Sequence, residues 1–158
     1  MKTSVIHSVE RYNPCEDLGI IACYYNPEGY QTKLANYKIF AEKIEASGLY
    51  LTTVECAFND ADFVLDPSAK TLQLRSECVL WQKERLLNIA ISTLPEKITK
   101  VAWLDCDVLF SNPDWAVQTS KLLDTLPIVQ PFEKLFRLPK GQFSYNGQGE
   151  VWDSFGYI

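Results

Sequence analysis

Histidine is almost missing from this chain: His7 is the only one in 158 residues. A lone histidine far from any nucleophile signature leaves no basis for a Ser-His-Asp or Cys-His enzyme. It also leaves zinc without a ligand set, because Cys15, Cys23, Cys56, Cys78 and Cys106 include no CxxC pair. Scattered and odd in number, these cysteines read as reduced thiols, and the expected compartment is cytoplasmic. No apolar run is long enough to span a bilayer, and residues 1–12 hold no apolar core of the secretory-signal kind. Positive charge is scarce too. The net charge of −5 argues against a general nucleic-acid binder, which would show a basic surface. Internal repeats and low-complexity tracts are absent.

What is present is the material of a core. Hydrophobic residues make up 47% of the chain and aromatics 13%, enough at this length for one globular domain. Residues 1–16 read as a polar lead-in or edge segment. Leu18 to Cys23 is a compact apolar run and predicts a first strand, broken by the turn signals of Tyr24-Tyr25-Asn26-Pro27-Glu28-Gly29. Tyr30, Leu34, Tyr37, Phe40, Ala41 and Ile44 fall on one face at helical spacing, and Gly48 is placed to end that helix. Leu49 to Phe58 predicts a second strand, which completes a right-handed βαβ unit. Short strands are expected at Phe63–Leu65 and Leu72–Leu74. A helix capped by Ser76 should run to about Thr93, where Pro95 marks its end. Val101–Leu104 predicts a central strand buried on both faces. Asn112-Pro113-Asp114 signals a helix to about Leu123, and Pro127–Phe132 reads as another strand. From Lys140 to Ile158 no period is visible.

The chemistry gathers at Asp105-Cys106-Asp107. On a strand, residues two apart point the same way, so both carboxylates can converge at the carboxyl edge of the sheet. Open α/β sheets bind ligands at that edge. Two carboxylates there repel unless a cation or proton neutralises them, and a divalent metal holding a diphosphate would do so. Solvated polar residues capping a strand end are the plainer alternative. Lys83 falls within the apolar sector of its expected helix, with Val79, Leu80, Leu86, Leu87, Ala90, Ile91 and Leu94. It either snorkels past the helix start or pairs with Asp105, Asp107 or a phosphate. Tyr24, Tyr25 and Asn26 leave the first strand at the ligand edge, where a tyrosine can stack on a base or form half-buried core. Glu55 can accept from a ribose hydroxyl or base N–H, or face solvent. Arg75 can meet a phosphate or cover surface. Phe143, Tyr145, Trp152, Phe155 and Tyr157 can line an acceptor site or simply pack.

In their order along the chain, three stretches resemble GT-A type glycosyltransferases, which use nucleotide-diphosphate sugars. Ile20–Pro27 resembles the first strand and nucleotide loop. Leu80–Asn88 resembles the helix before the DxD motif, and Val101–Phe110 resembles the DxD region itself. The resemblance covers about Leu18 to Phe132. It implies a single Rossmann-like three-layer α/β sandwich with a mostly parallel sheet over residues 1–158, its core at about 18–132. Residues 133–158 would then begin the acceptor side or form an irregular tail. It further implies Mn²⁺ or Mg²⁺ at Asp107 and Asp105, and nucleotide contacts from Tyr24, Tyr25, Asn26, Glu55, Lys83 and Asp105. The donor would be a nucleotide-diphosphate sugar and the acceptor a glycan, lipid or protein. The acceptor-binding half of that family is not apparent, so a fragment that binds donor without transferring it is one expectation, and no catalytic base is assigned. Two other readings stay open. One is a haloacid-dehalogenase-like phosphatase with Asp105 as nucleophile. The other is a non-catalytic binding or assembly module, whose exposed apolar face would form a homo-oligomer.

Overall fold

The structure is a computed structural model that describes residues 15–155. The expected lead-in at residues 1–16 therefore lies mostly outside the described residues, as does Tyr157. The chain forms two compact units, one up to Ser111 and one from Asn112.

The first unit is an α/β sheet with a helix on each face. Strand β1 is Leu18–Tyr25, helix α1 is Gln31–Ala46 and strand β2 is Tyr50–Phe58. Strand β3 is Thr71–Ser76, helix α2 is Lys83–Ser92 and strand β4 is Lys100–Trp103. The strands are ordered β3-β2-β1-β4, and every pair is parallel. Residues of β1 alternate between the layers. Ile21 joins Val54, Cys56 and Phe58 under Leu86, Leu87 and Ala90 of α2, with Cys23 and Tyr25 at the margin of the cluster. On the other face Tyr24 meets Tyr37 of α1 edge-on at 5.4 Å, and the Tyr37 hydroxyl donates to Thr53 Oγ1 at 3.1 Å. Gly19 is required by packing, because a Cβ there would lie 2.7 Å from Ile98 Cγ2.

Several expectations are corrected. Strand β4 is an edge strand, not a central one, and Trp103 is 66% exposed. Val101 packs against the core under α2 and Ala102 is buried on the opposite face, but the edge leaves Trp103 in solvent. Helix α2 begins at Lys83, not after Ser76. Ser76 Oγ accepts from Cys78 N–H at 3.2 Å and from Gln82 Nε2 at 3.1 Å, a local turn that competes with helix. Val79 and Leu80 are consequently exposed, not part of a helical core stripe. Phe63–Leu65 forms no strand; the N–H groups of Val64 and Leu65 bond to the Glu55 carboxylate instead.

In the second unit, helix α3 is Trp115–Leu123, just after the Asn-Pro-Asp signal, where Asn112 Oδ1 accepts from Asp114 N–H at 3.0 Å. Residues 127–132 form no strand, since Pro127 and Pro131 each remove a ladder donor. Strands β5 (Lys134–Arg137) and β6 (Glu150–Asp153) pair antiparallel in its place. Strand β6 thus lies in the stretch read as without period. Among the described residues, no helix is long and apolar enough to cross a membrane.

Candidate functional site

The strand order reverses beside β1: β2 and β3 extend on one side, and β4 pairs on the other. In open α/β sheets the crevice at the carboxyl ends of two such diverging strands is the usual ligand site. Here a cleft of about 290 Å³ occupies that position, close to the lower end of the roughly 300–1,000 Å³ range of small-molecule sites. From the end of β1 it is lined by Cys23 and Tyr25, and from the turn after β4 by Asp105, Cys106 and Asp107. Lys33 of α1, Lys83 and Leu86 of α2, and Trp81 complete it.

Both carboxylates reach the cleft, but not by strand alternation. Strand β4 ends at Trp103, and Leu104 N–H adds one last bond to Ile21 C=O at 3.0 Å. The chain then turns, with Val108 N–H donating to Asp105 C=O at 3.3 Å. Buried Leu104 and Cys106 anchor this turn and leave Asp105 and Asp107 exposed at its outer side. The ammonium of Lys83, the first residue of α2, is bonded to Asp105 Oδ1. Asp107 has no side-chain partner among the described residues. Tyr25 donates its hydroxyl to Val79 C=O and meets Trp81 edge-on at 5.6 Å, which fixes the aromatic wall.

The thiols in the cleft are held neutral. Burial, followed by smaller contributions from Cys106 and Asp105, pushes Cys23 up to about 12 against the pull of Lys83. Burial and the neighbouring Asp107 push Cys106 up to about 11, while Lys33 pulls the other way. Neither thiol is a nucleophile near neutral pH.

Other sequence candidates are occupied by structure. Tyr24 is buried, and its hydroxyl accepts from Asn26 Nδ2 at 2.9 Å. Asn26 Oδ1 accepts from Tyr30 N–H at 3.0 Å and shapes the loop into α1. Glu55 neither faces solvent nor lines the cleft. It is 2% exposed and accepts from Val64 N–H at 2.6 Å, Leu65 N–H at 3.2 Å and Gln73 Nε2 at 3.2 Å. Arg75 donates to the carbonyls of Asn59 and Ala61 and covers the Phe63 ring. In the second unit, Phe143, Tyr145, Trp152 and Phe155 are exposed.

Sequence reasoning missed Lys33 and Trp81. Lys33 sits in the first turn of the helix that leaves β1, where a cation opposes the helix dipole and so needs another reason to be there. Trp81 falls outside the apolar sector of the longer helix expected from sequence, and an indole without a place in the core is itself a signal.

Among the described residues, no group of three or more His, Cys, Asp and Glu could hold a metal by itself. Asp105 and Asp107 line one cleft, and a cation of the Mg²⁺ kind would need only one or two carboxylates, completing its shell with water and substrate phosphates. Compared with known protein families, curated proteins and solved structures, the chain matches none of them.

Proposed function

We propose that the first unit binds a nucleotide-diphosphate sugar with a divalent cation, in the manner of a GT-A type glycosyltransferase. The observation that carries this reading is the charge arrangement at the switch point. Asp105, Asp107, Lys33 and Lys83 line one cleft, so cationic and anionic groups wait together where a cation and a diphosphate would. Asp107 offers the free carboxylate to Mn²⁺ or Mg²⁺. Asp105 becomes a ligand or ribose contact once Lys83 releases it, and Lys83 then faces the diphosphate. Trp81 and Tyr25 provide an aromatic wall for a ring. A cation held there would offset charge on a departing diphosphate. The chain's own residues fix the position of that diphosphate, and no residue is assigned as catalytic base.

The test is a thermal-shift or calorimetric panel of UDP, GDP, CDP and dTDP, with and without Mn²⁺, on wild type and Asp107→Ala. One nucleotide should stabilise the wild type only when Mn²⁺ is present, and the variant should lose that stabilisation. Equal stabilisation of both proteins, or none by any nucleotide, overturns the proposal. Hydrolysis of a simple phosphate ester through an acid-labile Asp105 phosphate would instead favour the phosphatase reading.

A further inference from the structure

We infer that Lys33 is a second anion anchor of the cleft, which binds diphosphate oxygens while Asp107 holds the accompanying cation; the inference rests on the nucleotide-diphosphate reading. Lys33 is half-buried, and it shares the cleft with Asp107. No hydrogen bond or ion pair of the Lys33 ammonium is found among the described residues. The same holds for the Asp107 carboxylate, and the two are not paired with each other. The remaining charges of the cleft, Lys83 and Asp105, already satisfy one another.

An ammonium and a carboxylate that line one small cavity without pairing leave both signs of charge open to a ligand. A metal diphosphate is such a ligand: its cation suits Asp107 and its oxygens suit Lys33. Helix position gives a second reason. The first turn of α1 holds no acidic residue to offset Lys33, so its ammonium adds to the positive end of the helix dipole. Lys33 also lies near enough to Cys106 to oppose the effect of burial on that thiol.

The experiment titrates inorganic pyrophosphate with Mn²⁺ into the full chain by calorimetry. It compares wild type with Lys33→Ala, Lys33→Gln, Lys33→Arg and Asp107→Ala. Losing a charge-assisted contact at a half-buried position should weaken pyrophosphate binding about 10-fold in Lys33→Ala and Lys33→Gln. Lys33→Arg should stay within about 3-fold of wild type, since the charge remains. Binding of Mn²⁺ alone should not weaken in Lys33→Ala, because losing a cation from the same cleft favours a metal ion on Asp107. Unchanged melting curves establish that the variants are folded. Pyrophosphate binding that survives in both Lys33→Ala and Lys33→Gln but is lost in Asp107→Ala overturns the role of Lys33 and leaves the nucleotide reading standing. Failure of the wild type to bind Mn²⁺-pyrophosphate overturns both.

Discussion

In the proposed complex, Lys83 and the cation compete for the Asp105 carboxylate. The ammonium rests on Asp105, and a metal using both carboxylates must displace it. Because the Asp105 side chain is 62% exposed, solvent screens the pair, and its loss should change stability by no more than about 1 kcal/mol. The metal should feel the change more. In Lys83→Met, Asp105 and Asp107 are left as neighbouring carboxylates with less to neutralise them, so affinity for Mn²⁺ alone should rise about 3- to 10-fold, while Mn²⁺-dependent nucleotide binding weakens. A Mn²⁺ titration followed by electron paramagnetic resonance reads the first effect. Affinity that is unchanged or lower would show that Asp105 takes no part in holding the cation. The thiols give an independent check on the same cleft. Cys78 is exposed, whereas burial pushes Cys23 up to about 12 and Cys106 up to about 11. At a pH of about 8, iodoacetamide should modify Cys78 first and reach Cys23 and Cys106 only after unfolding in urea. Mass spectrometry of the native protein decides, and equal early labelling of Cys23 and Cys78 would contradict the burial described.

At the scale of elements, Glu55 shows how a buried carboxylate on a central strand can serve the scaffold. Its carboxylate holds the connection after β2 by accepting from Val64 and Leu65 N–H, and it ties that connection to β3 through Gln73. Glu55→Ala leaves buried donors without an acceptor and should cost on the order of 3 kcal/mol, measured as a lower urea midpoint. A loss below about 0.5 kcal/mol would mean that water replaces the carboxylate readily. The sequence concealed this role because a glutamate beside Val54 and Cys56 looks the same whether its partners lie in solvent or in a distant loop. The same distinction separates the legible elements from the others. Strand β1, helix α1 and strand β2 were legible because their signals are local: an apolar run, a 3.6-residue period and a glycine stop. The start of α2 was not, since Ser76 suits a helix cap and a tight turn equally, and Gln82 decides for the turn. Strands β5 and β6 were hidden because a two-stranded ribbon is specified by pairing across a gap. Gly149 has φ +121°, and a Cβ there would run into the Arg137 carbonyl oxygen, a requirement no periodicity reveals.

At the scale of the whole molecule, topology brings scattered residues to one cleft. Asp105 and Asp107 were legible because two acids after an apolar run form a local pattern. Lys33 joins them only because β4 returns beside β1, which places the loop into α1 and the turn after β4 at one edge. The same burial that builds this edge sets how the fold should respond to alkali. Burial raises Cys23 and Cys106 from an ordinary 9.0 to about 12 and about 11, and it raises Cys56, Tyr24 and Tyr37 as well. Each group is neutral when protonated, so above pH 9 the folded chain retains protons that the unfolded chain has released. Stability from these groups is complete below the ordinary thiol value and is lost as pH climbs through the folded values. The urea midpoint should therefore be insensitive to these groups up to a pH of about 8.5 and fall steadily from about 9 towards about 12. Cys106→Ala should flatten the curve between about 9 and 11, because one of the retained protons is gone. A wild-type midpoint that holds level to a pH of about 11 would mean that water reaches the thiols of the switch-point cleft.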